Sequence, residues 1–203
     1  MKSTLTLVAV AGLASAAAAQ TGSLSIVPSA MTVDSTTTTS FTLSVYADAD
    51  FGTAVAGGGY SLSATGGAGI VTDMTVGVPD WAALGFQDDA HAGDGNYNGV
   101  IFGQLIFPPF IPAAPDSLLD SGPVLISTFT VTIAANSAGV VDWSTGGGVG
   151  PFVIEIFTDD GGSGSFTQLI DLDFGGAQVN VVPAPSAMAL LGLGGLVAGR
   201  RRR

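Results

Sequence analysis

The chain has 203 residues, no cysteine, sixteen Asp and Glu, one His and only five Lys and Arg, for a formal net charge of −11. Without cysteine there is no disulfide framework, no thiolate nucleophile and no cysteine metal site, so stability must come from packing. All five basic residues sit at the ends, Lys2 and Arg200 to Arg203. The acidic body between them offers no Schiff-base lysine, no guanidinium fork and no footprint for nucleic acid, which excludes DNA and RNA as partners.

The first segment has the layout of an export signal. Lys2 supplies a positive start, Leu5 to Leu13 a short apolar run, and Ala17, Ala18 and Ala19 a small-residue site, which predicts cleavage between Ala19 and Gln20. Reading the same run as a buried helix would make both the Ala-x-Ala ending and the charge placement accidents.

Residues 20–182 then form one predicted domain, 183–203 a separate tail. The whole chain is 47% hydrophobic and only 10% charged, and it is rich in Gly, Thr and Ser, the residues of short strands and turns. Strands are expected at Leu24 to Val27, Phe41 to Tyr46, Gly59 to Ala64, Ile70 to Val76 and Val100 to Phe107. Further on they are expected at Thr128 to Ile133, Gly139 to Trp143, Phe152 to Phe157, Phe166 to Phe174 and Ala177 to Val181. Period two is clearest where Phe41, Leu43 and Val45 alternate with Thr42, Ser44 and Tyr46, and where Phe129, Val131 and Ile133 alternate with threonines. Around Ile154 and Ile156 the second face is also partly apolar, so a cover is expected there. Gly and Asp clusters, Gly57 to Gly59 among them, read as punctuation between strands. The class predicted is all-β, an antiparallel β-sandwich or jelly roll of about 8–10 strands, flanked by a signal helix and a short C-terminal transmembrane helix.

Few groups in the body suit chemistry. His91, the single histidine, reads as a solvated loop residue, and no Gly-x-Ser-x-Gly elbow accompanies it. Asp94, Asn96 and Asn98, with Gly99 next, match the first half of a calcium loop, and Asp88 or Asp89 is placed to complete a site. Leu105 stands where the bidentate glutamate would be, so a plain Asn/Gly turn is the other reading. Trp81, Trp143 and Tyr97 are candidates for a sugar-stacking platform. Phe107-Pro108-Pro109-Phe110-Ile111-Pro112 predicts an extended loop whose apolar groups form a contact surface. Asp159-Asp160-Gly161-Gly162 reads as an acidic turn, and Asp171 with Asp173 as one carboxylate-bearing strand face.

The tail reads Pro183-Ala184-Pro185-Ser186, then an apolar run Ala187 to Gly199, then Arg200, Arg201, Arg202 and Arg203. A helix from Ser186 to Gly199 would be about 21 Å long, shorter than a bilayer core of roughly 30 Å, and its glycines weaken it further. That suits a temporary anchor with the arginines left in the cytoplasm. This Pro-x-Pro signature, short apolar helix and arginine cluster resemble the PEP-CTERM sorting domain over about the last 21 residues. The resemblance implies an exosortase-type transpeptidase as partner, a membrane-anchored precursor and delivery to the cell surface or extracellular matrix, often in an exopolysaccharide setting. Ala184 replaces the name-giving glutamate, which leaves the sortase variant open, and an uncut stop-transfer anchor is the other reading. In the body, Ser40 to Tyr46, Gly58 to Leu62 and Ser127 to Val131 follow an order that resembles cohesin-type sandwiches, which implies a binding module without catalysis. The leading expectation is an exported non-enzymatic surface or matrix protein. A carbohydrate-binding module for exopolysaccharide and a secreted hydrolase using an Asp pair are the alternatives.

Overall fold

Alternation of apolar and polar side chains becomes a two-sheet β-sandwich in a computed structural model that describes residues 20–148, 153–161, 163–170 and 172–183. The export signal and the tail from Ala184, including Pro185 and the arginines, lie outside the described residues, as do Phe152 and Asp171. The strands are β1 (Gly22–Pro28), β2 (Thr32–Asp34), β3 (Ser40–Ala49), β4 (Ala54–Thr65), β5 (Val71–Gly77), β6 (Gln87–Asp88) and β7 (Tyr97–Gly103). There follow β8 (Val124–Ile133), β9 (Gly139–Gly147), β10 (Ile154–Asp159), β11 (Gly164–Leu169), β12 (Asp173–Phe174) and β13 (Gly176–Val182). Helical structure among the described residues is limited to three 3₁₀ turns, Asp80–Ala82, Pro115–Ser117 and Leu119–Ser121. No helix among them is long and apolar enough to cross a membrane.

One sheet has the order β12-β1-β3-β8-β5 and the other β11-β10-β4-β9-β13-β2. Inward residues from both fill the gap: Leu43 and Val45 of β3, Phe129 and Val131 of β8, Tyr60 and Leu62 of β4, Ile154 and Ile156 of β10. Each such side chain contributes about 1.5–3 kcal/mol by leaving water. Ten of the strands have six residues or more and correspond one to one with the expected runs. The three short ones, β2, β6 and β12, have two or three residues, too few to show a period.

Two departures from expectation concern how the strands are divided between the sheets and joined. The run Phe166 to Phe174 divides: β11 pairs β10 in one sheet, whereas β12 pairs β1 in the other, before β13 returns to the first. The cluster Gly57 to Gly59 is not punctuation but the middle of the central strand β4. There β10 and β9 lie end to end along one side, Ala54 to Gly58 facing β10 and Tyr60 to Thr65 facing β9, with β7 on the other side. The absence of a side chain is required at that junction, since a Cβ on Gly58 would stand 2.1 Å from the Val153 carbonyl oxygen.

The registers gather several of the connections at one end, or pole, of the sandwich. Pairing of Gly22 with Ala49, Ala54 with Phe157, Gly57 with Gly103 and Ala47 with Val124 gathers the β3–β4 turn, the long β7–β8 connection and the β10–β11 turn at one end. β13 runs parallel to β4, so Val182 leaves at the opposite end, where Val182 pairs with Asp34.

Candidate functional site

The β7–β8 connection is the largest irregular feature of the first pole, and a half-buried amide closes it. Gln104 Nε2 donates to the Val55 carbonyl at 2.7 Å and to Ser117 Oγ at 2.6 Å, while its Oε1 accepts from Ala114 N at 2.9 Å. Ser117 is buried and donates in turn to the Ala114 carbonyl at 2.7 Å. The strand therefore stops at Gly103, short of the Phe107 expected, because Gln104 turns inward to hold both ends of the connection. Held in this way, Ile106 and Ala113 cover Phe157 and Ala56 on the outer face of β10 and β4. That is the cover which the two-sided apolar pattern of β10 calls for.

The proline segment is a tight turn and not the extended loop expected. Phe107 and Ile111 exchange backbone hydrogen bonds, Phe107 N to Ile111 O at 2.7 Å and Ile111 N to Phe107 O at 2.8 Å, around a cis Pro108–Pro109 bond. Phe107 and Phe110 stack with centroids 5.9 Å apart and point outward, Phe110 being 78% exposed. Beside them Pro108, Pro109, Pro112, Leu118 and Phe157 line a groove of about 410 Å³ with Asp159 at its edge. Exposed aromatic area next to a concave apolar surface is what a partner can bury. The sequence flagged the apolar turn but not the groove or its Gln104 brace.

The other candidate residues are mostly absorbed by structure. Asp94 Oδ1 accepts from Asn96 N at 3.2 Å, and Asn96 Oδ1 accepts from Ala64 N at 2.7 Å. Asn98 is exposed on β7. Hydrogen bonds from Asn96 hold the Asp94 carboxyl below its ordinary value. Asp94 and Asn96 thus serve an Asx-type turn that fastens the loop to β4, and among the described residues no three His, Cys, Asp or Glu side chains group as a metal site. Asp88 accepts a hydrogen bond from the Tyr97 hydroxyl. Burial first, then that bond and the nearby carboxylates, push the Tyr97 phenol above its usual range.

His91 is not the solvated residue expected. Its side chain is only 6% exposed, Nε2 accepts from Gly95 N at 2.9 Å, and Nδ1 lies 3.9 Å from Asp73 Oδ1. Gly95, at φ +93°, cannot spare its N–H in a buried turn, so the imidazole is recruited as the acceptor. The sugar platform is not assembled either. Tyr97 and Trp143 are 1% and 2% exposed, each occupying an inward position of its strand, and Trp81 packs edge-to-face with Phe102, ring centroids 6.2 Å apart. Asp159 to Gly161 form the acidic turn expected, with Gly161 N donating to Asp159 Oδ1 at 2.9 Å; Gly162 lies outside the described residues. Asp173 pairs with Ser23 and, with Asp48 and Asp50, lines a shallow cleft of about 230 Å³. Asp50 receives hydrogen bonds from both N and Oγ1 of Thr21, each 2.9 Å, which hold its carboxyl low. A general acid needs the opposite shift.

No family model and no curated protein matches the chain. Among solved structures it is similar to the seventh ScaB type I cohesin from Pseudobacteroides cellulosolvens, at 11% identity over 81% of this chain and 96% of that one, with TM-score 0.46. It is also similar to the sixth cohesin of scaffoldin B from Acetivibrio cellulolyticus, solved in complex with a Cel5 dockerin, at 12% identity, 80% and 99% coverage and TM-score 0.44. A type I cohesin from a cohesin–dockerin complex of Clostridium thermocellum follows at 11% identity, 79% and 95% coverage and TM-score 0.41. Likenesses this distant say nothing about what the chain binds.

Proposed function

We propose that the chain is an exported, non-enzymatic protein of the cell surface or extracellular matrix, whose sandwich offers the Phe107–Pro112 turn as a protein-contact surface. The observation that carries this reading is the outward-facing Phe107–Phe110 pair beside an apolar groove, on a body whose polar candidates are tied into turns and packing. Such a surface is stable as an adhesive patch because the Gln104 brace fixes it without further ordering on contact.

Sorting through the tail belongs to the same reading. Lys2, the apolar leader and Ala17 to Ala19 fit export, and Pro183-Ala184-Pro185 with Arg200 to Arg203 fits recognition by an exosortase-type transpeptidase in the membrane. The chain leaves the sandwich at Val182, the pole opposite the contact turn, so a precursor held in the bilayer by its tail directs Phe107 and Phe110 away from the lipid. Two measurements test the proposal. Protein recovered from the cell surface or medium should begin at Gln20 and lack the Arg200 to Arg203 peptide by mass spectrometry; intact chain in the cytosol would sink it. A Phe107→Ser/Phe110→Ser variant should be exported yet fail to adhere to the producing cells' matrix.

A further inference from the structure

The groove beside the proline turn does not end there. Thr53 and Leu118 line both it and a second cleft of about 390 Å³, which contains Phe51, Leu119 and Asp120. Ala49 and Asp50 are shared by that cleft and the one that holds Asp48 and Asp173. The three are therefore successive stretches of one furrow that follows the β3–β4 turn across the first pole. Its floor changes character along the way: prolines, Leu118 and Phe157 by Asp159, then Phe51 and Leu119 by Asp120 and Asp50.

The occupant follows from charge and shape. A furrow that alternates apolar walls with carboxylates favours an extended chain that alternates apolar with cationic side chains. A second copy of the sandwich cannot supply those cations, because no Lys or Arg occurs between Lys2 and Arg200 and all sixteen carboxylates lie in that stretch. A sugar surface fits less well, since Trp143 and Tyr97 are buried away from the pole. We propose that the furrow receives an extended segment of a different protein, with Lys or Arg interleaved with apolar residues, its cations against Asp159, Asp120 and Asp50. The inference rests on the reading of this pole as a contact surface and names its partner's chemistry.

The test uses the full chain in a non-ionic detergent and a fluorescein-labelled octapeptide of alternating Leu and Arg, followed by fluorescence anisotropy. The peptide should bind, and alternating Leu–Glu and Gly–Arg peptides should bind far more weakly. Asp120→Asn/Asp159→Asn should weaken the Leu–Arg peptide roughly tenfold, as expected for two exposed pairs of about 0.7 kcal/mol each. Asp89→Asn/Asp142→Asn, which removes the same charge elsewhere, should leave it within about twofold. Equal weakening by both double variants, or binding of the Gly–Arg peptide as tight as that of Leu–Arg, overturns the furrow. So does a self-associated form that excludes the peptide. If no peptide binds while Phe107→Ser/Phe110→Ser still abolishes matrix adhesion, the furrow fails and the contact surface stands; if adhesion also survives that variant, both fail.

Discussion

Gln104 donates to Ser117 Oγ at 2.6 Å across thirteen residues of chain, and that bond closes the base of the loop that presents Phe107 and Phe110. A Gln104→Leu variant removes it together with the bonds to Val55 O and Ala114 N. Partly buried backbone groups left without partners should cost about 1–3 kcal/mol. The loss should concentrate in the loop, so chymotrypsin should cut at Phe107 or Phe110 well before global unfolding. A variant that melts earlier but is cut no faster would place the brace elsewhere.

Trp143 and His91 meet at one residue. Gly95 gives its N–H to His91 Nε2 at 2.9 Å and its carbonyl to the Trp143 indole N–H at 3.2 Å. His91→Ala leaves a buried N–H unpaired and should destabilise the chain by about 1–3 kcal/mol. In a Trp81→Phe background, where Trp143 is the remaining indole, its emission should move to longer wavelength as the turn loosens. Unchanged emission and denaturation midpoint would show that the imidazole is not the acceptor.

The readable and unreadable parts of this fold differ in the range of their causes. Phe41, Leu43 and Val45 in β3 and Phe129, Val131 and Ile133 in β8 report themselves, because period two is a local property and one face is buried. Gly57 to Gly59 are not self-reporting: the same letters make a turn or a close approach, and the Val153 carbonyl that decides between them lies far along the chain. Phe107 to Pro112 was legible as an exposed apolar segment, but its closure depends on Phe107 pairing with Ile111. Gln104 carried a faint signal as the one amide between Val100 and Phe107, yet its purpose appears only with Ser117 in place. For the same reason His91 could not be read: nothing local says that a glycine four residues on needs an acceptor.

Thr21 fastens the start of the sandwich to the β3–β4 turn through Asp50, donating from N and from Oγ1 at 2.9 Å each. Those bonds, the backbone one first, lower the folded-state carboxyl pKa. A depressed folded pKa stabilises above the unfolded value, near 3.9, and that stabilisation is lost as pH falls through the folded value. Asp50→Asn should therefore lower the melting temperature relative to the parent at pH 7, and the gap should close as the pH falls through the depressed folded-state pKa. A gap that is constant from pH 7 to pH 2 would mean that the charge on Asp50 does not matter to the tie.

Gly58 sits where β9 hands over to β10 beside the central strand, and a methyl group there has nowhere to go. Its Cβ would lie 2.1 Å from the Val153 oxygen and 3.0 Å from the Ile154 Cα, both backbone atoms that cannot swing aside. Gly58→Ala must therefore push β10 off β4, which disturbs the bond from Gly59 N to Val153 O at 2.9 Å and the seating of Ile154. Overpacking of this kind costs about 1–3 kcal/mol or more. Hydrogen exchange should quicken first in Ile154 to Asp159 and in β11, which has no other neighbour in that sheet. Gly77→Ala is the matched control, since a Cβ at Gly77 meets nothing within 4 Å. Equal effects of the two substitutions would show that glycine entropy, and not the approach of Val153, sets the requirement at Gly58.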